Sequence, residues 1–287
     1  MSFITFADGS ANLPNSLKTG ITVLECDYTV NGEPAVYNGN LDEFDFHGYY
    51  EILRQGGLIQ TSMLNTHRFM TAFRPVLEKG TDVIYVSMAG GISGTYQAAK
   101  TAAQELMEEF PERTVHIVDS KTCGLGTGLQ AVRSAELNAM GVETEEAARI
   151  LDAEVEHACS YFTVDDLNFL KRTGRVSGTT AAIGTVLNIK PILYGNSDGY
   201  IVSCSKVRGR KSAINGLAKK YQEKAVDTEN RTVYISHGDC PEDAEVLAEK
   251  ICRIKEPAQI VICPHEPFSG AHVGPGMLGL FFNGSER

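Results

Sequence analysis

Residues 81–107, TDVIYVSMAGGISGTYQAAKTAAQELM, fix the first reading of the fold. Residues 83–86 form a short apolar run rich in β-branched and aromatic side chains, residues 87–94 are rich in glycine and hydroxyls, and helical spacing begins at Thr95. The order is therefore strand, loop, helix. Ser93 stands where an N-cap is expected. Tyr96, Ala99, Ala103 and Leu106 recur at spacings of three and four, which predicts one helix face packed on a sheet. The loop then sits at the carboxyl end of the strand. Glycines there let backbone N–H groups approach a ligand, and the helix start adds unpaired donors and a partial positive charge. A phosphate or a carboxylate fits such a loop, and so does a plain tight turn with a serine cap. Two sharper motifs fail on spacing. Thr95 stands where a nucleophile elbow needs its last glycine, and Gly124-Leu125-Gly126-Thr127-Gly128 is not the dinucleotide fingerprint. The sequence holds no Walker A motif.

Outward from this unit, strands are expected at 2–7, 21–30, 114–118, 160–163, 190–194, 200–207, 232–236 and 259–263. Helices are expected at 44–54, around Met70, Phe73 and Leu77 after a cap at Asn65, from Gly124, and at 143–157, 180–188, 211–224 and 241–254. Thr163-x-x-Asp166 reads as a capping box opening a helix that ends near Gly174. The glycine-rich loop 195–199 joins its flanking strands as a hairpin, and the tail 269–282, SGAHVGPGMLGLFF, is too glycine-rich at its start for a regular helix. Alternating strands and helices predict an α/β protein of two domains. Residues 1–158 form an N-terminal domain with a mainly parallel sheet flanked by helices, and residues 159–287 a C-terminal domain with a mixed sheet.

The chain has 287 residues, 43% hydrophobic and 22% charged, enough to build a core without metal or disulfide support. Its net charge of −10 argues against a nucleic-acid surface or an anionic membrane as main partner. Seven scattered cysteines, with no CxxC spacing, suit reduced thiols and make a zinc site unexpected. No basic stretch followed by an apolar core opens the sequence, and no apolar run reaches membrane-spanning length. The expectation is a cytoplasmic protein without membrane insertion.

Several expected strands end on polar residues: Asp8 and Ser10, Ser87, Asp119 and Ser120, His237 and Asp239, and His265. That edge is where open α/β sheets bind ligands, and also where any chain emerges into water. Thr61 and Ser62 either cap the following helix or pair with Ser93. Arg172 and Arg175 either bond helix-end carbonyls or face a ligand. The basic run 206–211 is either a solvated face or a surface for an acidic partner. His272, among three glycines and a proline, either faces a ligand or makes a local turn bond.

Taken together, TS at 61–62, SGTY at 93–96, VDS at 118–120, LxxLxxxGR at 167–175, LNIKPIL at 187–193, KVRGRKSA at 206–213 and AHVGPGMLG at 271–279 resemble the DegV family nearly end to end. The resemblance implies the two-domain DegV (EDD) fold with a long-chain fatty acid held between the domains. It further implies no catalytic residue, no cofactor and no metal, and a role presenting the acyl carboxylate to a separate fatty acid kinase that binds the ATP. Carried over by position, the carboxylate ligands are Thr61 or Ser62 with Ser93, beside Gly94 and Thr95, while Arg175 and His272 belong to the surrounding network. Lys206, Arg208 and Arg210 fall on the kinase-docking segment. The chain departs from the family in Asp8-Gly9-Ser10, where a double serine is common, in TSMLN for a TSQPS-like run, and in Thr173-Gly174-Arg175-Val176 for Gly-Gly-Arg-Ile. Met63 and Leu64 thereby alter the expected pocket mouth. The rival expectation is an enzyme acting on a small phosphorylated or acylated metabolite through Ser93 or His272; a weaker one is a carrier of another amphiphile.

Overall fold

The computed structural model describes residues 2–176, 180 and 188–287. Its organising strand is β6 (Asp82–Ser87), in which every residue is buried. Val83 and Tyr85 point into one core with Phe6, Phe69, Phe73 and Leu106, while Ile84 and Val86 point into another with Phe3, Ala131 and Leu151. This two-residue alternation between two apolar layers explains why the strand reads as a continuous hydrophobic run. Around it, β1 (Phe3–Asp8), β2 (Ile21–Leu24) and β7 (Val115–Asp119) complete a four-stranded parallel sheet in the order β2-β1-β6-β7. Helices α2 (Thr66–Leu77), α3 (Thr95–Glu109), α4 (Leu125–Ala139) and α5 (Thr144–Val155) cover its faces. The small side chains of Ala98, Ala99, Ala102 and Ala103 let α3 lie close to the sheet.

The expected strand at 21–30 is two strands in two sheets. The chain leaves β2 at Glu25, and β3 (Cys26–Val30) joins β4 (Glu33–Tyr37) and β5 (Ile59–Thr61) in a small antiparallel sheet. Helix α1 (Phe46–Arg54) follows β4, capped by Asp45. Asn65 caps α2 as expected, accepting from the Arg68 N–H.

A six-stranded mixed sheet has the order β10-β9-β8-β13-β11-β12. It is built from β8 (Ala158–Thr163), β9 (Ile189–Gly195), β10 (Ile201–Arg208), β11 (Thr232–His237), β12 (Gln259–Pro264) and β13 (Leu278–Asn283). Among these described strands β11 and β12 are the pair that runs parallel, and β9 and β10 form the expected hairpin. Helices α7 (Arg210–Lys224) and α8 (Pro241–Ile254) pack on one face through Leu217, Tyr221, Leu247 and Ile251. The other face sends Tyr234, Cys263 and Phe281 against Tyr28, Tyr49, Tyr50 and Leu125, so one apolar cluster joins early and late parts of the chain. The guanidinium of Arg287 donates to the carbonyls of Lys121 and Gly195, a second tie.

Three further expectations are corrected. The capping box at Thr163 does not form, because Thr163 closes β8 and the short α6 (Asn168–Arg172) starts after Leu167, with Asp166 accepting from the Asn168 N–H. The glycine-rich tail holds both a short helix, α9 (Pro267–Val273), and the strand β13 at the centre of its sheet. Tertiary burial outweighs the helix cost of Gly270, whose missing side chain leaves room for the Tyr50 hydroxyl, 2.8 Å from where a Cβ would stand. Ser93 is not the cap of α3; that position is Gly94. The helix expected at 180–188 lies, apart from its end residues, outside the described residues.

Candidate functional site

A cavity of about 230 Å³ opens where β5, α3, α6 and α9 converge. One wall carries Thr61, Met63, Met88, Ile92, Ser93 and Gly94, and the other Leu170, Arg175, Ile201, Phe268, Ser269, His272 and Val273, with Cys123 also lining the space. The volume lies just under the roughly 300–1,000 Å³ common for small-molecule sites, so the space suits a head group and the start of a longer chain.

Each polar group owes its place to the end of an element. Thr61 ends β5, and its Oγ1 lies 2.9 Å from Nε2 of His272. Ser93 accepts from the Thr95 N–H at 3.2 Å and donates to Thr95 Oγ1 at 3.0 Å, in the turn that opens α3. The N-cap of that 15-residue helix, Gly94, has no side chain to bond the first turn, and Ser93 and Gly94 line the cavity at the helix's positive end. A side chain at Gly94 would place Cβ 2.6 Å from the Met63 sulfur, so the glycine lets the thioether lie over the helix start. At Gly91 a Cβ would meet the Asp198 carbonyl oxygen at 2.7 Å, because the β9–β10 turn lies directly on this loop.

Arg175 is placed by the end of α6. Gly174, at φ +69°, follows the cap; its N–H donates to the Lys171 carbonyl, and the Arg175 N–H donates to the Leu170 carbonyl, both at 3.1 Å. This is a Schellman turn, and it delivers the next side chain to the cavity wall. The Arg175 guanidinium also bonds the Thr173 carbonyl. Burial, with Arg175 and then Arg172 nearby, lowers the pKa of His272 to about 4, so its imidazole is neutral at pH 7. Its Nδ1 is buried without a hydrogen-bond partner among the described residues.

Thr61, Ser93, Gly94, Arg175 and His272 thus share one cavity. Two other expected ligands stand outside it. Ser62 is exposed and follows β5 out of the sheet, and Thr95 is buried at the start of α3 with its hydroxyl turned to Ser93. Lys206 and Arg208 are exposed on β10. Arg210 is instead engaged within the fold, bonded to Asp243 at 2.7 Å and to the Gly276 carbonyl at 2.7 Å.

The sequence reading singled out His272 and His265 but not Ser269 or Glu266. Ser269 Oγ lies 2.8 Å from His265 Nε2 and is bonded to Glu266, and His265 Nδ1 lies 3.0 Å from Ser236 Oγ. The spacing of His265, Ser269 and His272 by four and three residues was the available signal, hidden by the glycines around it. Among the described residues no cluster of His, Cys, Asp and Glu could hold a metal ion, and no helix is long and apolar enough to cross a membrane.

Fold and cavity together describe a protein of α/β architecture in which a helix start lies beside an apolar wall. Residues 3–284 match the family described as "Uncharacterised protein, DegV family", and the chain belongs to this family. A DegV domain-containing protein of Clostridium perfringens is 35% identical over 99% of this chain and 98% of its own length. A DegV family protein from Thermus thermophilus, solved in work on its fatty acid binding, superposes with a TM-score of 0.87 at 26% identity, over 99% of this chain and all (100%) of its own. DegV of Bacillus subtilis, described as a fatty acid binding protein, superposes at 0.83 with 27% identity, over 98% of each chain.

Proposed function

We propose that this chain binds one long-chain fatty acid between residues 1–158 and 159–287 and presents its carboxylate to a separate fatty acid kinase, itself catalysing nothing. The observation that carries the reading is the cavity: hydroxyls of Thr61 and Ser93 and the start of α3 meet Met88, Ile92, Leu170, Ile201 and Phe268 in one space. A carboxylate there accepts from hydroxyl and N–H donors beside the Arg175 charge, while the tail buries methylenes at about 0.8 kcal/mol each. The Thermus and Bacillus relatives support the ligand class. The kinase partner, and with it a cytoplasmic setting, rests on the family resemblance and on the exposed Lys206 and Arg208. Against the enzyme reading, Ser93 is bonded to Thr95 rather than to a base, and His272 contacts Thr61.

Native mass spectrometry of the purified protein, followed by denaturing extraction, tests the ligand. A stoichiometric fatty acid is expected; a protein that stays bare after incubation with fatty acids overturns the reading. For the partner, Lys206→Glu with Arg208→Glu is expected to slow phosphorylation of the bound acid by the kinase while ligand binding persists.

A further inference from the structure

Behind the cavity, α9 continues inward as a chain of polar groups that the carboxylate site just described leaves unused. Ser269 lines the cavity, and its single hydroxyl proton has three claimants: Glu266, His265 and the cavity's occupant. Ser236, His265 and Glu266 are fully buried and Ser269 is 4% exposed, so no bulk water relieves the competition. Glu266 is tied down further, accepting from the N–H groups of Phe268 at 2.5 Å and Ser269 at 2.9 Å.

We propose that Ser269 is an additional donor to the ligand's carboxylate, and that it donates only while Glu266 holds a proton, so that fatty acid and proton bind together. The proposal rests on the carboxylate reading of the cavity. With Glu266 protonated, its O–H donates to Ser269 Oγ. His265 adds a second donor through Nε2–H, its Nδ1 accepting from Ser236, and the Ser269 proton is left for the ligand. With Glu266 ionised, the carboxylate takes that proton for itself and sets a negative charge beside the site. The proton gained comes from solvent, and the ligand enters as its anion.

The electrostatics agree with the geometry. Burial, with Asp8 adding to it, pushes the Glu266 pKa up to about 8, and an anion at Ser269 would raise it further. Burial, with His237 adding to it, lowers His265 to about 3, so it stays neutral and cannot store a proton given up by Ser269 as a nucleophile. The titratable groups facing Glu266 are Asp8 from β1, Cys26 and Tyr37 from the β3–β4 hairpin, Tyr49 and Tyr50 from α1, and Cys123 from the loop before α4. Burial raises all of these thiols and phenols and the Asp8 carboxyl as well, so Glu266→Gln is the variant that separates the Glu266 titration from that of Asp8.

Calorimetric titration with oleate, from about pH 6.5 to about 9.5 in two buffers of different ionisation enthalpy, tests this linkage. The dissociation constant is expected to be flat below pH 8, without proton uptake, and to rise about tenfold per pH unit above it, where about one proton is taken up per oleate. Glu266→Gln, whose amide donates to Ser269 but does not titrate, is expected to lose the slope. Ser269→Ala is expected to weaken binding at pH 7 and to leave only the shallower slope that the Glu266 charge exerts by itself. A flat wild-type profile without proton uptake, or a slope that survives in Glu266→Gln, overturns the proposal while leaving the fatty acid reading intact. Oleate that binds at no pH overturns both.

Discussion

The two walls of the cavity handle polar groups in opposite ways. On the wall of Thr61, Ser93 and Gly94, the hydroxyls and N–H groups sit at the end of β5 and the start of α3, where backbone donors are unspent by geometry alone. On the α9 wall, His265, Glu266 and Ser269 lie inside the protein and meet at the Ser269 hydroxyl, with Ser236 and the Phe268 N–H as further buried partners. The first wall can lose a hydroxyl without disturbing the fold. The second holds a carboxyl against its own solvation, so its contribution varies with pH.

The largest effect expected from this contrast is on stability. The folded-state pKa of Glu266 is raised, to about 8 from an ordinary 4.5, so the native state binds the extra proton. Its contribution to stability is fully present below about pH 4.5 and is lost as pH rises through 8. Urea unfolding of Glu266→Gln across this range is expected to show a shallower decline than the wild type. Equal declines would place the pH dependence elsewhere and dissolve the distinction between the walls.

The contrast also explains what was legible in the sequence. The strand–loop–helix unit at 81–107 was readable because its signals are local: a short β-rich apolar run in β6, glycines in the loop, small residues at helical spacing in α3. Helix 241–254 was readable for the same reason, with Pro241 at its first turn and Glu242 and Asp243 complementing its positive end. For Thr61, Ser93, Arg175 and His272 local physics left two readings open, and the ordered family motifs favoured the ligand-facing one. By contrast, β13 and α9 lie in a tail whose glycines mask both periods, and they take their form from contacts with β8, β11, Tyr49 and Tyr50. The Ser269–Glu266–His265 cluster was illegible because a glutamate in a sequence reads as surface, and only the fold shows it fully enclosed. The break at Glu25 was missed because two adjacent strands in different sheets look like one apolar run.

A smaller effect, on affinity alone, is expected at the first wall. Ser93→Ala removes a donor to an anion, which costs about 1.5–3 kcal/mol, or roughly 10- to 150-fold in fatty acid affinity. Its unfolding free energy should stay within about 1 kcal/mol of the wild type, since Thr95 keeps its helical place. Ligand titration paired with urea unfolding of the same variant checks this. A variant that loses stability and affinity together would show that the first wall is as interdependent as the second.

The smallest effect is expected at Met63, which belongs to the first wall but is 55% exposed. Its sulfur lies over Gly94, so it shields the start of α3 from water without supplying a hydrogen bond to the ligand. Met63→Ala should therefore change stability by less than about 0.5 kcal/mol, as exposed positions usually do. Its effect should fall on the rate at which a bound fatty acid leaves, because a side chain at the mouth obstructs exit more than it strengthens the bound state. Stopped-flow displacement of a bound fatty acid reads this directly, with faster release expected in the alanine variant. Release at the wild-type rate would mean that the thioether does not lie across the exit path, and that opening of the cavity is governed by the α9 wall.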